Sequence, residues 1–228
     1  MFERYAQTHP MSGPVAPLLL QILREAARPG WLVDLGCGDG RLLRALASLF
    51  PAGDEAHSGR LVGVEISYER ARRVQRDGFV LVCGNAESLP FCERSVAVIL
   101  MIEVIEHLAH PARAVEEVAR VLQSDGLLVI STPNYPAKRF YDTLAYLRGM
   151  RASWRDDPTH FSPMTVRHLL RLLRANFRHV ELLPSYLLGE SRIAALRRLR
   201  AARHPLAHVL SHKLIALCRE PVRSRFGR

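Results

Sequence analysis

The chain has 228 residues, of which 48% are hydrophobic and 24% charged, a balance that is typical of a folded globular protein and excludes a disordered or fibrous one. Its 32 lysines and arginines outnumber its 22 acids, and this excess lies almost entirely in residues 191–228, where ten basic residues and one acid give a net charge of +9. No apolar run approaches the ~20 residues of a membrane-spanning helix, and the four cysteines form no CxxC pair, so we expect a cytoplasmic protein without a leader or anchor.

Five short runs rich in valine, isoleucine and leucine recur along the chain, each ended by glycine or polar residues. Their hydrophobicity is continuous rather than alternating, which is typical of strands buried on both faces of a parallel sheet. The predicted strands are Trp31–Leu35, Arg60–Ile66, Phe79–Cys83, Val96–Ile102 and Gly126–Ser131. Residues 1–29 carry a leading helix, and the predicted helices are Val15–Ala27, Arg41–Leu49, Glu69–Arg76 and Pro111–Leu122. This alternation predicts a doubly wound α/β sheet.

The alternation changes after Ser131. The polar segment 131–135 is expected to lie at the carboxyl edge of the sheet, and residues 135–161 predict a looser insertion rich in aromatic side chains. The remaining elements are a helix at Pro163–Ala175, a strand at Val180–Leu183, a helix at Ile193–Ala202 and a strand at His212–Arg219. We therefore predict one domain, residues 1–228, with a mostly parallel seven-stranded sheet and a basic C-terminal extension, residues 191–228, that includes the last strand.

The most specific segment is VDLGCGDG, residues 33–40, a strand that continues into three alternating glycines and then a helix. Glycine permits positive φ angles here and lets a ligand approach the backbone at the carboxyl edge of the sheet. A dinucleotide fingerprint would place its third glycine where Arg41 stands. Asp34, Asp39 and Glu65 would disfavour a phosphate but would tolerate a ligand that carries an ammonium and a sulfonium group. A sugar-nucleotide or NAD site on the same fold is the alternative.

The order of five motifs resembles the class I S-adenosylmethionine-dependent methyltransferases, including quinone-biosynthesis enzymes, over roughly residues 15–185. The matching segments are VDLGCGDG at 33–40, VGVEIS at 62–67, GNAESLPF at 84–91, IEVIEHL at 102–108 and RVLQSDG at 120–126. The chain departs from the family at Asn85, where the family usually has aspartate, and at residues 124–126, where it usually has a Pro-Gly-Gly turn. The resemblance implies a Rossmann-like methyltransferase fold.

The same resemblance implies S-adenosylmethionine as the methyl donor. The glycine loop would contact its methionine part through the backbone, and Asp34 would hold its amino group. Glu65 would chelate the two ribose hydroxyls, and residues 85–86 would face the amino edge of the adenine. The predicted cofactor-binding residues are Asp34, Gly36, Cys37, Gly38, Glu65, Ile66, Asn85, Ala86, Ile102 and Glu103.

Glu103, Glu106 and His107 stand at positions i, i+3 and i+4, so a helical turn after the fourth strand would put them on one face. The predicted catalytic residues are His107, Glu106 and His160, with His107 able to take a hydroxyl proton during methyl transfer. Small-RNA 3′-terminal 2′-O-methyltransferases resemble this segment and hold a divalent ion there, which implies a Mg²⁺ or Mn²⁺ site from Glu103, Glu106, His107 and His160. In the alternative without metal, the acids line the acceptor pocket or cap a helix, and His160 precedes the N-cap Ser162.

We therefore expect a methyltransferase that acts on an oxygen of a small or lipid-like metabolite, with the insertion 135–161 over the acceptor site. Two alternatives stay open: a metal-dependent 2′-O-methyltransferase of RNA 3′ ends, and a protein that binds S-adenosylmethionine without transfer. Residues 191–203 predict an arginine-bearing amphipathic helix that contacts an anionic membrane surface and makes the protein peripheral to the membrane. A solvated basic face and RNA binding are the alternatives, although no aromatic residue lies between positions 187 and 225.

Overall fold

The computed structural model describes residues 15, 17–26, 29–49, 61–149, 159–185, 198 and 200–222. The helices are α1 (Pro17–Ala26), α2 (Arg41–Leu49), α3 (Tyr68–Arg76), α4 (Pro111–Val121), α5 (Tyr135–Leu147), α6 (Val166–Asn176) and α7 (Pro205–Leu210). The strands are β1 (Trp31–Leu35), β2 (Leu61–Glu65), β3 (Val80–Cys83), β4 (Val96–Ile102), β5 (Leu122–Pro133), β6 (Phe177–Pro184) and β7 (Lys213–Pro221). No helix of the described residues is both long and apolar enough to cross a membrane.

The seven described strands form one sheet in the order β3-β2-β1-β4-β5-β7-β6. Neighbours from β3 to β5 pair in parallel, and β7 pairs antiparallel with both β5 and β6. The predicted Rossmann-like, mostly parallel seven-stranded sheet is therefore confirmed. The chain order reverses between β1 and β4, so the carboxyl ends of the central strands diverge into a crevice where ligands bind in such folds.

Apolar side chains alternate between the two faces of the central strands and pack against helices on each face. In β4, Ile99 and Met101 belong to the cluster that includes α4 and α6, whereas Val98 and Leu100 belong to the cluster that includes α1 and α2. This alternation follows from the period of two along a strand. Helices therefore cover both faces of the sheet and pack against its central strands.

The structure differs from the sequence prediction at three places. Residues 135–147 form the regular helix α5, with proline in its first turn, where we predict a loose insertion. The strand β5 begins at Leu122, so the segment 124–126, where the family has a turn, lies within the strand. The pairing of β5 with β4 is irregular at this point. The helix α6 begins at Val166 and is capped by Thr165, whose Oγ1 accepts from His168 N, so Ser162 is not its N-cap. Most of the predicted helix 193–202 lies outside the described residues.

Candidate active site

A cavity of about 290 Å³ opens at the carboxyl edge of the parallel strands, a volume close to the lower end of the range, roughly 300–1,000 Å³, of small-molecule sites. Its walls come from the ends of β1 to β4 and from residues 159–160. The predicted site residues that line it are Gly36, Glu65, Ile66, Asn85, Ala86, Glu103, Glu106, His107 and His160. The predicted residues that do not line it are Asp34, Cys37, Gly38 and Ile102.

The glycine loop after β1 has a conformation that glycine alone adopts readily. The φ angles are +75° at Gly36, +56° at Gly38 and +73° at Gly40. Space is limiting at Gly36 as well, because a Cβ atom there would lie 2.5 Å from Cγ2 of Val104. The loop therefore packs directly against the turn after β4, which brings the predicted donor and acceptor parts of the site together.

Glu65 ends β2 and holds the glycine loop in place. Its Oε2 accepts the Gly38 N–H at 2.9 Å, and its Oε1 accepts the Ser67 N–H at the same distance. The backbone N–H groups of residues 36–37 donate to the Val64 carbonyl at 2.7 and 3.1 Å. The carboxylate is therefore fixed in the cavity wall, at the point where the resemblance puts the ribose hydroxyls.

Asp34 is buried at the end of β1, and its Oδ2 has no hydrogen-bond partner among the described residues. Burial, and to a lesser degree the negative charge of Glu65, raise the pKa of Asp34 to about 7. A buried carboxyl oxygen without a partner is unfavourable unless a ligand supplies the donor. An ammonium group would do so, and the residues present therefore fit S-adenosylmethionine, which carries an ammonium group and a positively charged sulfur.

Asn85 and Ala86 follow β3 in a tight turn. The Asn85 Oδ1 accepts the Glu87 N–H at 2.9 Å, and its carbonyl accepts the Ser88 N–H at 3.0 Å. Asparagine and aspartate side chains make this turn equally well, so the departure from the family at position 85 leaves the turn intact.

Cys37 and Ile102 contribute packing rather than cavity lining. Cys37 is buried, and burial raises the pKa of its thiol. A Cβ atom on Gly63 would lie 2.8 Å from the Cys37 sulfur, which shows how tightly the loop packs on β2. Ile102 packs against the apolar cluster of α1 and α2. Cofactor contact by these two residues stays a prediction.

Glu103 does not share a helical turn with Glu106 and His107, although the sequence predicts one face for all three. The helical turn is a single 3₁₀ turn, Ile105–His107, and Glu103 precedes it with a φ angle of +55°. Its carboxylate accepts from Ser131 Oγ at 2.9 Å and pairs with Lys213 Nζ at 2.9 Å. Glu103 therefore links the ends of β4, β5 and β7 at the cavity wall.

Glu106 is buried, and the Thr132 hydroxyl donates to its Oε2 at 3.0 Å. Its Oε1 has no hydrogen-bond partner among the described residues. Burial, and then the negative charge of Glu103, raise the pKa of Glu106 to about 8. This carboxyl is therefore a second buried group in the site that a positively charged ligand would stabilise.

His107 and His160 both line the cavity, and their rings meet edge to face with centroids 4.6 Å apart. The Nδ1 atom of His107 lies 2.8 Å from Thr159 Oγ1 and 3.2 Å from the Thr159 carbonyl oxygen. Because a carbonyl only accepts, this contact favours a proton on Nδ1 and leaves Nε2 as the basic nitrogen. The Nδ1 atom of His160 lies 2.5 Å from Tyr135 Oη.

Glu106, His107 and His160 therefore come together, as the sequence predicts: a ligand atom of each lies within 4.8 Å of the others. Glu103, the fourth predicted metal ligand, is not part of this group. Two residues of the site, Thr159 and Lys213, are not predicted from the sequence. Thr159 is adjacent to the predicted His160, whereas Lys213 is reached only through the pairing of β7 with β5.

The chain is similar to known methyltransferases. The model of a methyltransferase domain family matches residues 5–182, which is more than half of the chain. A malonyl-[acyl-carrier protein] O-methyltransferase of Methylococcus capsulatus is 31% identical over 152 residues, covering 66% of this chain and 52% of that protein. A ubiquinone biosynthesis O-methyltransferase of Parvibaculum lavamentivorans is 34% identical over 106 residues, covering 46% and 41%. The chain spans about a quarter to a half of the length of the curated relatives that it matches.

A solved structure has the same fold. The plantazolicin methyltransferase in complex with S-adenosylhomocysteine and a substrate analogue superposes with a TM-score of 0.61 at 16% identity, covering 91% of this chain and 84% of that one. The matched family and both of these relatives are methyltransferases. The chain belongs to the class I methyltransferases, enzymes that use S-adenosylmethionine as the methyl donor.

Proposed function

We propose that this enzyme methylates an oxygen atom of a small or lipid-like metabolite, and that the acceptor binds at the Glu106–His107–His160 end of the cavity. The observation that carries the proposal is the meeting of these three side chains within 4.8 Å in a cavity that the glycine loop also lines. The O-methyltransferases among the relatives support oxygen as the acceptor atom.

The donor supplies an activated methyl group when it is bound, so the protein mainly has to position the two reactants and manage one proton. Glu65 lines the donor end of the cavity. Asp34 stands one residue before Leu35, which also lines it, and its buried Oδ2 would accept from the ammonium group of the donor. The basic Nε2 of His107 takes the proton from the acceptor hydroxyl as the oxygen attacks, and the contact of Nδ1 with Thr159 keeps the imidazole in the tautomer that this step needs.

Glu106 has a different task in this scheme. Its buried carboxyl lies within 4.8 Å of the imidazole of His107. The positive charge that the imidazole gains would favour the ionised form of this carboxyl, and the carboxylate in turn would stabilise that charge. A carboxylic acid acceptor needs no such proton transfer, since it is ionised already. The dependence of the rate on His107 therefore distinguishes a hydroxyl acceptor from a carboxylate acceptor.

The test is transfer of label from methyl-labelled S-adenosylmethionine to a panel of malonyl thioesters, lipid-like phenols and short RNA. We expect His107→Gln to reduce transfer to a phenol about 10²- to 10⁴-fold, the usual contribution of a general base. The exposed His179, on β6, is the matched control, and His179→Gln should leave the rate unchanged. Equal rates in the His107→Gln and parent enzymes on every hydroxyl acceptor would refute the role of His107.

A second candidate function is metal-assisted transfer to the 2′ hydroxyl of an RNA 3′ end. One carboxylate oxygen and two imidazole nitrogens within 4.8 Å fit a divalent ion such as Mn²⁺ or Mg²⁺, and Glu106, His107 and His160 would hold it. Such an ion would polarise the attacking oxygen. The contacts of Glu103 with Ser131 and Lys213 count against a four-ligand site.

Calorimetry with MnCl₂ alone separates the two candidates. The first proposal predicts no Mn²⁺ binding that depends on His160 and full activity in EDTA. The second predicts that Mn²⁺ binds, that His160→Gln abolishes the binding, and that EDTA stops methylation of short RNA.

A further inference from the structure

Two helices leave large apolar side chains exposed to solvent. Phe140 and Leu147 of α5 are 60% and 74% exposed, and Leu206 and Val209 of α7 are 54% and 53% exposed. The spacings of seven and three residues put each pair on one helical face. Half of the twelve large apolar side chains that are exposed among the described residues lie on these two helices: Phe140, Tyr146, Leu147, Leu206, Val209 and Leu210. A concentration of exposed apolar side chains of this kind indicates a contact with another molecule.

The helices α5 and α7 are joined directly. The Tyr141 hydroxyl donates to the Leu210 carbonyl, and the Tyr141 ring stacks on His212 at a centroid distance of 5.8 Å. The side-chain NH₂ of Asn134, just before α5, donates to the carbonyls of Val209 and Ser211 at 2.9 and 3.0 Å. The two helices are therefore neighbours, and we call the surface formed by their exposed apolar side chains the α5–α7 surface.

The α5–α7 surface is basic around its apolar side chains. Arg139 and Arg148 are exposed beside Phe140 and Leu147, and the described stretch 200–219, whose Arg203 pairs with Glu181 of β6, contains no acidic residue. The one acid of α5, Asp142, is mostly buried and pairs with Lys138 at 2.6 Å. Exposed apolar side chains within basic residues match the interface of an anionic bilayer, where apolar groups enter the headgroup region and cations meet lipid phosphates.

The α5–α7 surface adjoins the acceptor end of the cavity. Tyr135, in the first turn of α5, reaches His160 at 2.5 Å. Lys213, three residues after α7, pairs with Glu103 in the cavity wall. A bilayer in contact with the two helices would therefore lie next to the place where we put the acceptor.

We propose that the α5–α7 surface docks on an anionic lipid bilayer. The docking is independent of the methylation chemistry, and only its purpose, the delivery of a lipid-like acceptor to the cavity, rests on the proposed function. Residues 191–203, predicted from the sequence to contact such a surface, precede α7 in the chain and lie mostly outside the described residues, so the proposal is carried by α5 and α7.

The test is co-sedimentation of the full chain with vesicles of phosphatidylglycerol and phosphatidylcholine in equal parts, and with vesicles of phosphatidylcholine alone. We expect binding to the anionic vesicles that weakens with added NaCl, and much weaker binding to the neutral ones. The triple variant Phe140→Ser, Leu147→Ser, Leu206→Gln should lower the partition coefficient at least about tenfold, because it removes the apolar contact. The charge reversal Arg139→Glu with Arg148→Glu should lower it similarly.

The matched control is Val80→Ser, which removes an apolar side chain that is 56% exposed on the edge strand β3. It should bind vesicles as the parent does, and unchanged melting temperatures should show that all variants fold. Absence of binding to anionic vesicles, or equal binding by the triple variant and the parent, would overturn the proposal. So would light scattering that shows the parent as a dimer and the triple variant as a monomer, since the surface would then join two copies. No methyl donor or acceptor is present in these assays, so failure of the proposed function would not affect them.

Discussion

The substitution Asp34→Asn removes a buried carboxyl group whose pKa is raised from 3.8 to about 7 in the folded protein. A raised pKa means that the folded state binds this proton more tightly than the unfolded state does. The folded state is therefore favoured most below about pH 4 and loses stability as the pH rises toward about 7, at ~1.4 kcal/mol for each pH unit in that window. Over the full window the ionisable carboxyl destabilises the folded enzyme by at most about 4 kcal/mol. Asparagine does not ionise and therefore does not carry this cost.

Urea unfolding of the parent and of Asp34→Asn at about pH 5 and about pH 7 measures this cost. We expect the variant to gain about 2 kcal/mol relative to the parent between the two values, because over that range unfolding of the parent releases a proton that folded Asp34 still holds. The exposed Asp77, which pairs with Arg44, gives the control variant Asp77→Asn. A difference between Asp34→Asn and the parent that does not change with pH would refute the raised pKa.

The same substitution should weaken the binding of S-adenosylmethionine. A charge-assisted hydrogen bond contributes about 1.5–3 kcal/mol, so calorimetry at neutral pH should show a loss of about ten- to a hundredfold in affinity. A variant that is more stable but binds the donor more weakly would show that Asp34 is retained for binding. Unchanged affinity would contradict the assignment of Asp34 to the donor ammonium group.

Three further substitutions test the packing around the site. Gly36→Ala should destabilise the fold by about 1–3 kcal/mol, because its Cβ would meet Val104 at 2.5 Å in a left-handed backbone; thermal melts measure this loss. The same variant should lower donor affinity at least about tenfold, as measured by calorimetry. Asn134→Ala should cost about 1–3 kcal/mol in urea unfolding, since its NH₂ group satisfies carbonyls at the end of α7, and a stability equal to the parent's would disprove that role. Arg120→Met should cost about 1–2 kcal/mol in the same assay, because its guanidinium donates to the Leu89 and Phe91 carbonyls at 3.0 Å, and an unaltered urea midpoint would contradict this.

The parts of the site that the sequence predicts are those set by local rules. The glycine loop follows an apolar strand and needs positive φ angles, and both facts can be read from residues 33–40 alone. Glu65 follows from its position at the end of a buried strand. Helix α5 could have been predicted by the same kind of rule, because Pro136 stands in its first turn, but its many aromatic residues obscured the helical period.

The parts that the sequence does not predict depend on pairings between distant segments. Thr159 meets His107 across 52 positions of the chain, and Tyr135 meets His160 across 25. Lys213 reaches Glu103 only because β7 inserts antiparallel between β5 and β6. Neither periodicity nor composition carries information on such contacts, since they are set by the register of strands and the docking of helices.

The most direct test of the account is the position of the sulfur atom in a crystal structure with S-adenosylhomocysteine. We expect an ammonium group at Asp34, ribose hydroxyls at Glu65, and a sulfur within roughly 7 Å of the His107 imidazole, close enough for an acceptor oxygen to lie between them. A sulfur on the far side of the glycine loop from Glu106, His107 and His160 would contradict the claim that donor and acceptor meet at this cluster.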